Sequence, residues 1–475
     1  MQSAMTDVIA APPEGAGWWR LLRDAVRGVP HDYTRGRVSR AILLLAIPMV
    51  IEMAMESVFA VVDIFFVARL GPVAVATVGL TESLLALIYT VAMGLGIGVT
   101  ATVARRIGER NSEGAAHAAA QAVVLGVLVA AAIAAVGAGF APTWLRLMGA
   151  SDAVLAEGTG YARLMLGTDF VIILPFLLNA VFRGAGDPAI AMRSLVLANG
   201  INIVLDPVLI FGLGPIPAFG VTGAAAATVI GRGLGVAYQL RMLTNGRSRV
   251  RVERRHAWWD PKALASLIRL SGSGTFQVFV ATASWIGLIR VLSTFGSDVV
   301  AGYTIGIRVI LFAIMPAWGL SNAAATMVGQ ALGAGDPARA ERAVWIAAGY
   351  NLAFLGFIGA GFFLGAPAIV GGFDAAGEVR DVAILCLRVL AIGFLFYGVG
   401  MVMAQAFNGA GDTGTPLRLN LLCYWALELP LAFTLAKLAG LGPAGAFAAV
   451  VASNTTFTVL AVLIFRRGKW KRTAV

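Results

Sequence analysis

Charge is what this 475-residue chain has least of: Asp, Glu, Lys and Arg together make up 13%, against roughly a quarter in a soluble globular domain. A water-soluble fold of this length is therefore disfavoured from the start. Histidine and cysteine are scarce too, with three and two copies. His31, His117 and His256 are scattered, so no zinc-ligand spacing exists, and Cys386 and Cys423 fall inside long apolar runs, where a structural disulfide is not expected. Aspartate-rich metal motifs, HExxH and a nucleophile elbow are also missing. That argues against an intramembrane prenyl or glycosyl transferase and gives the expectation of no enzyme activity and no cofactor. Residues 1–40 have only brief apolar patches between arginines, which predicts a polar tail rather than a cleavable signal peptide.

What the chain does have is apolar sequence: 59% of residues are hydrophobic, 57 are glycine, and the mean hydropathy is +0.83. Runs of about twenty apolar residues, the length that crosses a hydrocarbon core of roughly 30 Å, recur about twelve times. In the first half they cover 41–67, 78–103, 115–141, 160–181, 189–212 and 219–243. In the second they cover 264–292, 300–329, 339–366, 381–406, 415–439 and 442–466. Backbone groups at that depth must be satisfied within the segment, and the alternating ten-residue pattern of a barrel is missing, so the spans are expected to be helices.

The formal charge of +11 does not signal nucleic-acid binding, because its positions follow topology. Arg20, Arg23, Arg27, Arg35, Arg37 and Arg40 precede the first span, and Arg105, Arg106 and Arg110 follow the second. Arg183 and Arg193 flank the turn after the fourth, Arg247 to Arg255 fill the central loop, and RRGKWKR closes the chain. If the spans alternate in direction, these lie on one side, which the positive-inside rule makes cytoplasmic. The chain is thus expected in a plasma (inner) membrane with both termini in the cytoplasm, its basic tracts against anionic lipid.

Two short stretches show how the spans are organised. FRGAGDP begins at Phe182 and FNGAGDT at Phe407, so Gly184 falls on Gly409, an offset of 225 residues. At the same offset Leu45 falls on Leu270, Gly71 on Gly296, Gly94-Leu95 on Gly319-Leu320, Gly108 on Gly333, Arg163 on Arg388 and Arg193 on Arg418. Aligned arginines and loop glycines mark a tandem duplication. Six spans per half means that both halves enter from the same side, as a parallel repeat with the expected substrate path between them. The expected fold is an all-α polytopic membrane protein with twelve transmembrane helices in two six-helix lobes. Its expected parts are a tail at 1–40, lobes at 41–243 and 264–466, a linker at 244–263 and a final tail at 467–475.

Ionisable groups inside a bilayer are costly and point to function. Glu52, Glu56 and Asp63 lie on the first span, Glu82 on the second, Asp206 on the fifth and Glu428 on the eleventh. At a rise of about 1.5 Å per residue, Asp63 and Asp206 both fall roughly 10 Å below the extracytoplasmic surface, with Thr228 and Glu82 near that level. Asn202 is one turn from Asp206 on the same face. Two carboxylates, an amide and a hydroxyl at one depth suit a proton, or a sodium ion at Asp63, Asn202, Asp206 and Thr228. The competing reading is a purely structural hydrogen-bond network. Glu52 and Glu56, at i and i+4, form a stripe with Asp63 that either lines a cavity for cationic substrates or pairs internally. Glu82 and Phe59 extend that candidate cavity. Pro48 is a candidate bend point in the first span, or simply a proline near its start.

With VVDIFFVARLG ending at Gly71, FRGAGDP, NIVLDPVLIFG from Asn202, GVTGAAAAT ending at Thr228, GQALGAGDPARAERA from Gly329 and FNGAGDT, the chain resembles the MATE (multidrug and toxic compound extrusion) family from about Arg40 to Arg467. It is most similar to the DinF-like branch. The resemblance implies extrusion of organic cations and other amphipathic compounds in exchange for inward protons or sodium. It further implies cation coupling at Asp63, Asn202 and Asp206, with Asn179 and Thr228 as partners and Pro48 as a first-helix bend. The seventh and tenth spans, which carry acids in the NorM-like branch, show Gln277 and Tyr397 here among otherwise uncharged residues, which argues against a sodium site in the second half; Gln277 is a candidate cavity residue. The protein is thus expected to be a monomeric antiporter of amphipathic or cationic small molecules. A flippase for a lipid-linked precursor is the alternative, and it would favour a strongly basic cavity.

Overall fold

The computed structural model describes residues 17–473. The first sixteen residues of the expected 1–40 tail and the last two of the final one lie outside the described residues. Among the described residues, twelve helices are long and apolar enough to cross a membrane. They are Val38–Leu70, Pro72–Gly108, Ser112–Gly139, Asp152–Ala185, Pro188–Phe211 and Gly220–Thr244, then Pro261–Phe295, Ser297–Gly333, Pro337–Gly371, Gly377–Ala410, Gly414–Leu438 and Gly442–Arg466. Each expected run falls on its own helix, overrunning it by two residues at most, and most helices extend it at one end or both. The widest departure is the fourth span, which begins at Asp152 and is interrupted at Thr168–Asp169. The eleventh is irregular, because the stretches Leu421–Glu428 and Thr434–Leu438 wind as π-helix.

The duplication is visible in the helix ends. Gly186 and Gly411 both take left-handed φ, at 84° and 87°, and terminate the fourth and tenth spans. Asp187 N–H donates to Phe182 O at 2.8 Å, and Asp412 N–H to Phe407 O at 2.9 Å, the same 6→1 bond of a glycine C-cap in each half. This is why GAGD recurs: glycine carries the left-handed residue without a Cβ clash.

The contact between the halves is reciprocal. A Cβ at Gly108 would collide with Gln330, and one at Gly333 with Arg105; these pairs exchange under the 225-residue offset. Gly94 likewise meets Thr275 while Gly319 meets Met49 and Val50. Such pairing requires a two-fold relation between the six-helix lobes, with backbones brought close by glycine.

The first span belongs to both sides of this contact. Its opening stretch, Ala41 to Met49, packs in a core with Leu320, Val344, Val402 and Phe407 of the second half. Beyond Pro48 it turns to the first half, where Asn199 Nδ2 donates to Met55 O at 3.0 Å. The helix is unbroken through Pro48, which sits at the crossing. On the side carrying residues 17 and 473 the lobes are sealed. Arg339 of the ninth span donates to the carbonyls of Tyr33, Arg35 and Gly36 at 2.7–3.0 Å, and Arg105 of the second donates to Thr473 O at 2.8 Å.

Candidate functional site

Glycine also builds the polar group of the first lobe. A Cβ at Gly231 of the sixth span would lie 2.6 Å from Ala198 O, one at Gly223 2.3 Å from Leu209 O, and one at Gly235 3.0 Å from Ser194 Oγ. The two helices can therefore touch along their length, which sets Thr228 against Asn202. Asn202 Nδ2 donates to Asp206 Oδ1 and to Thr228 Oγ1, both at 3.2 Å. All three residues are buried, yet Asp206 Oδ2 and Asn202 Oδ1 have no protein partner. Two buried acceptor oxygens thus share one pocket of polarity, a demanding arrangement in an apolar surround. Asp63 of the first span is buried within electrostatic range of both Asp206 and Glu82. Asn202, Asp206 and Thr228, expected together, form one hydrogen-bonded group, and Asp63 lies within electrostatic range of Asp206.

Asn179 is not among them. Its Nδ2 donates to Glu52 Oε1 at 2.9 Å, Arg183 Nη1 donates to the same oxygen at 2.9 Å, and Gln239 Nε2 donates to Asn179 Oδ1. The reason is direction: the fourth span descends from Asp152, so Asn179 near its end meets the early part of the first span. One helical turn along the first span, Glu56 accepts from Arg232 Nη2 at 2.9 Å, and the Arg232 guanidinium lies over the Phe59 ring at 5.1 Å. The two glutamates of the acidic stripe are therefore paired internally, which was one of its two sequence readings.

Arg232, and Arg183 as an intramembrane group, escaped the sequence reading. Arg232 sits inside the apolar run 219–243, where it was legible as a counter-ion for the glutamates of the first span. Arg183 looked like a loop cation. Asp169 was also missed: it is fully buried at the interruption of the fourth span.

Between the lobes lies a cavity of about 460 Å³, within the size range of small-molecule sites. Met53, Met93, Thr100 and Phe176 of the first half form one part of its wall, and the second half supplies most of the rest, including Gln277, Tyr397 and Glu428. Of the candidate cavity residues, Gln277 lines it, whereas Glu52, Glu56, Phe59 and Glu82 do not. Glu82 instead lies within electrostatic range of Arg308 on the eighth span.

The MatE family model matches residues 48–208 and 275–434 of this chain. A probable multidrug resistance protein NorM of Thermotoga maritima is 26% identical over 444 residues, covering 92% of this chain and 94% of its own. An FAD transporter of Shewanella oneidensis is 27% identical over 418 residues, covering 85% and 89%. Among solved structures, the outward-facing conformation of a multidrug resistance MATE family transporter of the MOP superfamily aligns with a TM-score of 0.86. It shares 28% identity and covers 93% of this chain and 98% of its own.

Proposed function

Since this chain belongs to the MatE family, we propose that it is a secondary antiporter. In this reading it exports cationic or other amphipathic small molecules across an inner membrane, driven by protons or sodium ions moving inward. The observation that carries the reading is the buried Asp206–Asn202–Thr228 group with two unpartnered acceptor oxygens and Asp63 nearby. A proton satisfies one such oxygen and lowers the repulsion between two carboxylates, and a sodium ion satisfies several oxygens together. Coupling requires that the ion and the substrate favour different arrangements of the lobes. Asp63 lies on the span that crosses from one lobe core to the other, so a change of charge there acts on the helix that joins them. Pro48, without a backbone donor, is the natural bend at the crossing.

The relatives named as multidrug resistance proteins support small-molecule export. The charge of the cavity lining supports a cation over a lipid pyrophosphate: its charged side chains are Glu428 and Arg183, and Arg183 is already paired with Glu52. The arginine-bearing side is taken as cytoplasmic, with the protein acting as a single chain. Asp63→Asn and Asp206→Asn should each remove ion-dependent export from proteoliposomes while leaving the amount of folded, reconstituted protein unchanged. Full export by both variants would refute the assignment of the coupling site.

A further inference from the structure

The intramembrane glutamates differ in one respect that the antiport reading does not use. Glu52 is paired with Arg183 and Glu56 with Arg232, each at 2.9 Å, and Glu82 has Arg308 within electrostatic range. Glu428 of the eleventh span forms no ion pair among the described residues. Its one hydrogen-bond partner there is Ser453, whose Oγ–H donates to Oε2 at 2.6 Å. It is 3% exposed, and it lines the central cavity.

The surroundings of Glu428 are built rather than incidental. Leu421–Glu428 winds as π-helix, a rare form often found at functional sites, and Tyr424 and Glu428 both line the cavity. Tyr424 is fixed by stacking on Phe457, with ring centroids 5.9 Å apart and 1° between planes, and by a 3.3 Å bond from its hydroxyl to Asn454 Oδ1. Trp285, Tyr303 and Tyr397 line the same space. Gln277, 9% exposed, and Asn408, 2% exposed, also line it, and each has a buried side-chain oxygen without a protein partner. A carboxylate without a protein cation and aromatic ring faces together attract a positive charge on an apolar body. They disfavour an anion.

We propose that the second-lobe wall of the cavity is the subsite for the charged end of a lipophilic organic cation, with Glu428 as its counter-ion. The proposal rests on the antiport reading for where the bound cation is carried, but not for its binding. The coupling group Asp63–Asn202–Asp206–Thr228 does not line this cavity, so cargo and driving ion occupy separate places in this arrangement of the lobes.

The test is equilibrium binding of ethidium, a planar monocation, to the full chain in lipid nanodiscs, with neutral Nile red as the uncharged probe. Glu428→Gln should weaken ethidium by about tenfold or more while moving Nile red by less than about twofold, and Glu428→Asp should restore part of the loss. Gln277→Lys, which places a cation in the same cavity and leaves Glu428 intact, should weaken ethidium selectively as well. Unchanged ethidium affinity in Glu428→Gln would overturn the proposal, as would equal loss of both probes in that variant. If neither ion gradient drives ethidium efflux by the unaltered chain while Glu428→Gln still loses ethidium, antiport fails and the subsite stands. Gradient-driven efflux with unchanged ethidium affinity in Glu428→Gln overturns the subsite alone.

Discussion

Arg183 looked in the sequence like a loop cation beside the GAGD turn, yet its guanidinium reaches back to Glu52, which is 1% exposed. The distinction matters energetically, because a buried charge that loses its partner retains its desolvation cost. Arg183→Met should therefore destabilise the protein by about 3–5 kcal/mol, read as earlier thermal unfolding in detergent. Removing both charges, in Glu52→Gln with Arg183→Met, should recover much of that loss. If the double variant unfolds no later than Arg183→Met, the loss does not come from a stranded Glu52 charge. At this scale the sequence was a partial guide. Residue type and depth were enough to set Asn202, Asp206 and Thr228 beside one another and Asp63 within electrostatic range of Asp206, because all four lie a countable distance from a span end. They were not enough to assign Asn179 to Glu52, since that contact depends on how far the fourth span slides past the first. The resemblance suggested a different neighbour.

Helices were more legible than side-chain partners. Apolar length and the arginine-bearing loops defined all twelve, since a span must both cover the hydrocarbon and end in water. The π-helical winding of the eleventh and the interruption at Thr168–Asp169 left no comparable trace, because both depend on packing against neighbours rather than on local composition. The reciprocal glycines stand between these cases. The 225-residue offset aligned Gly108 with Gly333, but only the structure shows each seated against the other lobe. Two-fold symmetry makes a definite demand here. Gly108→Val and Gly333→Val should impair export to a similar degree, since each forces the second and eighth spans apart on the sealed side. Measured in proteoliposomes, severe loss in one variant and normal export in the other would contradict the symmetric contact.

For the whole molecule, opening the sealed side means breaking contacts that bridge the lobes. Arg339 grips three carbonyls of the segment before the first span. Arg249 of the central loop bonds His31 O, lies 3.6 Å from Asp187 of the first-lobe turn and covers the Tyr33 ring. Arg339→Ala should shift the population toward a state open on that side, read as a longer distance between spin labels placed at positions 110 and 335. An unchanged distance distribution would mean that the strap does not hold the seal. Acid should act in the same direction. Burial holds the His31 imidazole below its usual value, so the packed strap favours the neutral ring. Its contribution is complete above the ordinary histidine pKa of about 6.5 and is lost as pH falls through that value toward the lowered one.

The coupling of ion entry at Asp63 and Asp206 to substrate exit is tested most directly by the initial rate of ethidium efflux from loaded proteoliposomes. An inward proton gradient and an inward sodium gradient are imposed separately. The account predicts acceleration by at least one gradient, identifying the coupling ion, and loss of that acceleration in Asp63→Asn. Efflux that ignores both gradients, or acceleration that survives in Asp63→Asn, would contradict it.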